Sequence, residues 1–225
     1  MQISDSDRTR IAEAIAGAEE QTSGEIFCVV SRRVSSYLDV SLAWAAGAAL
    51  IAPIVFVPLV LDLRWPVGGW EAAHQAAEAA STGQALAIYA LSQAVVFVGV
   101  FLLTRIPALR RLATPAGVRR GRVRKAALQQ FLAHGVHVTR ERTGVLIFAA
   151  LDEHQVELIA DEGIHAKVEE GAWAQAVAAL TRELRADKPV EGFSAAIGLC
   201  GQMLARHFPP RADNPNELPD HLILL

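Results

Sequence analysis

The sequence predicts an α/β sandwich, a small mixed sheet flanked by helices, interrupted by a two-helix transmembrane hairpin. Three observations predict it. No charged residue occurs from Val40 to Leu61 or from Ala79 to Thr104, and a bilayer core needs about 20 apolar residues per helix. Short β-rich runs stand on both sides of this pair, at residues 25–31 and 144–161. Apolar residues at helical spacing flank those runs.

The N-terminal piece opens with Ser4 and Ser6 as candidate helix caps. Ile11, Ala14, Ile15 and Ala18 recur at helical spacing, and Ser23-Gly24 breaks the pattern. Glu25 to Ser31 reads as a strand. One helix and one strand cannot bury a core, so they require the C-terminal piece, and the hairpin is an insertion into a split domain. The expected divisions are residues 1–38, the hairpin at 39–104, a basic flank and second domain part at 105–210, and a tail at 211–225. Spans are expected at about 40–61 and 84–104 with an outward loop at 62–83.

Charge sets the topology. The connector holds Asp62, Glu71 and Glu78 against Arg64, whereas Arg105, Arg110, Arg111, Arg119, Arg120, Arg122, Arg124 and Lys125 follow the second run with no acid among them. Arg32 and Arg33 precede the first. Positive flanks stay on the cytoplasmic side, so both termini are expected there, with Trp44, Trp65, Trp70 and Tyr89 as interfacial anchors. Pro53 and Pro58 are tolerated in a bilayer, where neighbours satisfy the freed carbonyls. The competing reading is a hairpin buried in a soluble core, but surface helices of soluble proteins keep a polar face. The polar start, Met1 to Asp7, reads as no cleavable signal. The spans hold no ionisable residue, which favours an anchor over a transport pathway. The small-residue run Ala43 to Ala49 suits close helix packing, within the hairpin or in a homo-oligomer.

Beyond the basic flank, Val118 to Gly135 reads as a helix with a cationic start. Such a segment gains about 1 kcal/mol per cation near anionic lipid, or it acts only as a topology signal. Nucleic acid is excluded as a partner: the net charge is −3 and no aromatics interleave the cations. Gly144 to Leu151 is a near-continuous apolar run, as in a central strand covered on both faces. Gln155 to Asp161 alternates, with Asp152-Glu153-His154 as the turn of a hairpin and Gly163 as its end. Helices follow at about Ala172–Ala186 and Val190–His207, the second with Phe193, Ile197, Cys200, Leu204 and Phe208 as its stripe. Pro209-Pro210 stops it. The polar tail ends in Leu222-Ile223-Leu224-Leu225, which packs on the domain or on the membrane. Cys28 and Cys200 read as buried free thiols of a reducing compartment.

Several of these segments resemble the TPM family: Thr22-Ser23-Gly24-Glu25-Ile26, Arg142-Thr143-Gly144-Val145-Leu146-Ile147, and Val156 through Gly163-Ile164. Gly192-Phe193 through Leu204 and Phe208-Pro209 also fit. The resemblance covers roughly residues 5–33 and 125–208. It is nearest to a bacterial membrane subgroup in which two spans interrupt the domain after its first strand, and Asn216-Glu217-Leu218-Pro219 is similar to that subgroup's ending. It implies an α/β sandwich at the bacterial inner (plasma) membrane, multi-pass. Some family members are described as acid phosphatases, plant members are linked to photosystem repair, and an animal member is a receptor accessory subunit. Divalent cation binding, for example calcium, has been proposed for some.

Metal-assisted phosphate chemistry needs converging carboxylates. Glu157 and Asp161 share a strand face by period two, Asp152 and Glu153 sit at the turn, and Glu25 starts the first strand. These five are the candidate cation ligands; the competing reading is a solvated strand face. The pairs His134/His137 and Asp161/His165 have helical spacing for zinc, but no Cys/His cluster accompanies them. No phosphate loop, nucleophile elbow or nucleophile–base pair is present, and no catalytic residue is assigned. Three functions compete: an accessory or interaction module at the membrane, with another membrane protein or a second copy as partner; a weak divalent-metal-dependent acid phosphatase; and a transporter subunit.

Overall fold

The computed structural model describes residues 3–55, 82–211 and 213–225. They fall into two units, Met1–Ser35 with Ala116–Leu225, and Ser36–Pro115.

In the first unit, helix α1 (Asp5–Glu19) starts at Ser4 with a reciprocal cap. The Asp7 amide donates to Ser4 Oγ at 3.2 Å and the Ser4 amide donates to Asp7 Oδ2 at 2.9 Å, satisfying two otherwise orphaned donors. Ile11 and Ile15, one turn apart, are fully buried. The sheet contains β1 (Glu25–Ser31), β2 (Gly144–Ala150), β3 (Gln155–Ala160) and β4 (Ile223–Leu224) in the order β3-β2-β1-β4. Strands β1 and β2 run parallel in register from Glu25↔Gly144 to Ser31↔Ala150. The expected hairpin is present: β2 and β3 are antiparallel, with Val145↔Ala160. Strand β4 adds in parallel to the other edge of β1, at Val29↔Ile223. The sheet is therefore mixed, as expected.

Every residue of β1 and β2 is buried, which is why β2 reads as a near-continuous apolar run and β1 is apolar from Ile26 to Val30. Ile26, Cys28, Val30, Val145, Ile147 and Ala149 face α1, α7 (Ala174–Arg185) and α8 (Pro189–His207). Phe27, Val29, Leu146, Phe148 and Ala150 face α5 (Ala116–Ala133). Helix α5 presents Val123, Ala127 and Phe131, spaced by four, to that face. It stops two residues before the predicted end because Gly135 takes a left-handed φ of +67°. A 3₁₀ turn, Val136–Val138, then crosses the start of β2. A Cβ at Gly144 would lie 2.2 Å from the Val136 carbonyl oxygen, so the crossing requires glycine there.

Two local expectations are corrected and one open alternative is decided. Strand β3 ends at Ala160, not Gly163: Asp161 is extended and caps α6 (Glu162–His165), turning the chain into a helix. The helix predicted from Ala172 begins as a 3₁₀ turn, Glu170–Trp173, and becomes α-helical at Ala174. The tail closes on the domain, with Leu218 and Leu222 buried and β4 on the β1 edge. Cys28 and Cys200 are buried free thiols, as predicted.

The second unit contains α2 (Leu38–Val55), α3 (Thr82–Arg105) and α4 (Pro107–Ala113). Helix α2 is long and apolar enough to cross a membrane; α3 and α4 count as a second span if taken as one bent element. The second predicted run, 84–104, lies within α3. Pro58, Trp65, Trp70 and the connector acids and Arg64 lie outside the described residues, as does the end of the first predicted span.

Candidate functional site

One end of the sheet collects the charged residues that the sequence singles out. Glu25 pairs across from Gly144, and the Asp161 amide donates to the Gly144 carbonyl at 2.9 Å. Glu25 and Asp161 therefore flank the start of β2 from its two neighbours, about 10 Å apart at two strand spacings. The β2–β3 turn with Asp152 and Glu153 lies at the opposite end, about 20 Å away along a strand of this length. Glu157 sits between, opposite Phe148 on the α5 face. The five predicted ligands therefore do not share one cation site. Among the described residues, no group of three or more His, Cys, Asp or Glu is placed to hold a metal ion.

Each of the five has a protein partner. Asp161 Oδ1 accepts from the Glu162 amide at 2.7 Å, and its Oδ2 lies 3.1 Å from Arg142 Nε. Arg142 also reaches Glu162 at 3.5 Å, and it holds a left-handed φ of +59°. The loop bearing Arg142 is locked by Gly163, whose added Cβ would stand 2.4 Å from the Glu141 carbonyl oxygen. Glu157 faces Arg124 at 3.8 Å; burial raises its carboxyl from the ordinary range, and Arg124 and Arg120 oppose the rise. At the far end Asp152 pairs with Arg33 at 3.1 Å, and Glu153 accepts from the Val34 amide at 3.4 Å.

Around Glu25 the fold gathers acids that sequence reasoning missed. Glu19, on the last turn of α1, accepts from the Ile26 amide through Oε1 at 2.7 Å. Burial pushes its carboxyl up to about 9; the Ile26 amide pulls the other way, and Glu25 and Asp220 reinforce the rise. Glu25 accepts from the Leu218 amide through Oε2 at 3.2 Å and is itself raised, chiefly by burial. Asp220 accepts from Asn216 Nδ2 at 2.6 Å, and Glu217 accepts from the Arg140 amide at 2.7 Å. This arrangement favours the protonated form of the Glu19 carboxyl. Its signal in the sequence was the acids of the tail, which gave no indication that they would return to the start of β1.

The other candidates are dispersed. His134 contacts Gln130 Oε1 at 3.1 Å and lies 4.9 Å from the Phe27 ring, while His137 lies 6.1 Å from Phe131. The turn through Gly135 separates them. In the basic flank, Arg122 donates to Ser35 Oγ at 2.7 Å and Arg124 serves Glu157, so two of the expected lipid-facing cations act within the domain. On the outer side of α7 and α8 lies an open groove of about 680 Å³, lined by Gln175, Ala178, Arg182, Ser194, Gly198 and Gln202 among others.

A solved structure shares this fold. The chain is similar to BA42 from the psychrophilic bacterium Bizionia argentinensis, a structure solved by NMR. The TM-score is 0.57 at 16% identity, with 100% of this chain and 97% of that one covered. No curated protein matches the chain. A family model described as the TPM domain matches residues 114–203, which hold α5, β2, β3, α6, α7 and most of α8.

Proposed function

We propose that this chain is an integral protein of a bacterial inner membrane whose TPM domain serves at the cytoplasmic face as an accessory or interaction module. One observation carries the reading. Helix α2 is apolar yet leaves Leu50, Ile51, Ile54 and Val55 more than half exposed, and only 17% of its span-length window is buried. Helix α3 does the same with Leu86, Leu91, Val95, Val98 and Leu102. Apolar surface costs about 25 cal/mol per Å² in water. Two such helices are at rest in lipid.

The charge asymmetry supports both termini at the cytoplasmic side. The module reading is supported by the carboxylates of the sheet, which tie backbone amides and arginines within the fold. The full chain should stay in the membrane fraction after an alkaline carbonate wash; release into the supernatant would defeat the anchor. A periplasmic reporter fused at Gly69 should be active and one at Leu225 silent, and the reverse pattern would invert the topology. Turnover of a phosphate monoester by the detergent-solubilised chain, tested with calcium, magnesium and zinc, separates module from phosphatase. Metal-dependent turnover that disappears in Glu157→Ala or Asp161→Ala would replace the accessory reading with the enzyme.

A further inference from the structure

The turn after α3 is sharp. Helix α3 is 24 residues long, about 36 Å at 1.5 Å per residue against a bilayer core of about 30 Å, and its stretch Tyr89–Arg105 is long and apolar enough for a span when taken with α4. At its end the axis bends by 101° into α4. The cause is local. Ile106 is extended (φ −65°, ψ 127°) and Pro107 occupies the first turn of α4, where its ring cannot continue the helix of α3. With α3 along the membrane normal, a helix at 101° to it lies within roughly 11° of the membrane plane.

The faces of α4 are unlike. Leu109 and Leu112, three residues apart, lie on one side of the helix, Ile106 precedes it as the extended cap, and the three are 40%, 85% and 48% exposed. Arg110 and Arg111 project from the remaining arc, and Arg105 ends α3 beside them. A second contact fixes the depth. Trp44, in the second turn of α2, donates its indole Nε1 to the Ala113 carbonyl at 2.8 Å. The C-terminus of α4 is thus held at the level of a tryptophan, the residue that favours the headgroup layer.

We propose that α4 is an in-plane helix seated in the headgroup layer of an anionic bilayer. Ile106, Leu109 and Leu112 dip into the acyl boundary, and Arg105, Arg110 and Arg111 lie at the lipid phosphates. Apolar residues on one face and cations on the other are what such a helix needs, and its position directly after a span supplies the continuity. The inference rests on the membrane reading of α2 and α3, and its test separates the two.

Spin labels placed in the full chain by Val95→Cys, Arg111→Cys and Leu112→Cys report depth from collisions with oxygen and with a water-soluble nickel chelate. The vesicles are phosphatidylcholine with phosphatidylglycerol. All three positions are exposed, whereas Cys28 and Cys200 are fully buried, so labelling is confined to the new thiol. The expected order is Val95 deepest, Leu112 shallow but shielded from the chelate, and Arg111 open to it. Omitting phosphatidylglycerol should shift Leu112 toward the chelate. Leu112 as open as Arg111, with Val95 deep, overturns the in-plane helix and leaves the membrane anchor standing. Leu112 as deep as Val95 also overturns it, making α4 part of a bent crossing. Val95 open to the chelate removes the anchor and the inference together. A Leu112 reading indifferent to phosphatidylglycerol overturns the role of the cations.

Discussion

Glu19 keeps its proton near neutral pH because its carboxyl is buried beside Glu25 and Asp220. Its folded value of about 9 exceeds the ordinary 4.5, so the stability it contributes is complete below about 4.5 and is lost as pH rises toward 9. Glu19→Gln reproduces the protonated form, since its amide can accept from Ile26 and still donate to Asp220. The variant should be the more stable protein at pH 8, with a flatter dependence of melting temperature on pH between 5 and 9. An unchanged pH profile would show that Glu19 does not carry the proton. Gly163 makes a second test. Gly163→Ala places a methyl against the Glu141 and Arg142 carbonyls and should cost about 1–3 kcal/mol by denaturant unfolding. Neither residue is conspicuous in the sequence: a glutamate at a helix end and a glycine after a strand are ordinary until the chain returns to them.

At the level of elements, the parts with a strong period were legible. Helix α8 is one, since Phe193, Ile197, Cys200 and Leu204 form a single stripe and all are buried. Strand β2 was legible by length and composition instead, a short apolar run of the kind a doubly covered strand presents. The β4 pairing was not legible, because two residues have no period and their strand character comes from β1 offering a free edge. Leu222→Ala should cost about 2–5 kcal/mol, since Leu222 is 1% exposed within the core. Leu225→Ala, at 54% exposure, should stay within about 0.5 kcal/mol of the parent. Equal effects would mean that the tail does not dock as described.

For the whole molecule, the arrangement to explain is a sheet whose central parallel pair, β1 and β2, is separated in sequence by the entire second unit. The Arg122–Ser35 hydrogen bond brings Ser35 within a side chain's length of α5, so about eight extended residues could bridge Ser35 to Ala116. A chain with 36–115 replaced by such a linker should fold as a water-soluble, monomeric domain, and on the proposed membrane reading the full chain should need detergent to stay dispersed. Aggregation of the linked domain under conditions where the full chain is well dispersed would show that the second unit is needed for folding. The sequence by itself determined the fold class, the apolar insertion and the free thiols, because periodicity, charge-free length and burial are written locally. The partners of the carboxylates, the return of the tail and the turn into α4 were decided by the tertiary structure. Each depends on which distant backbone groups arrive beside a residue, and no local pattern encodes that.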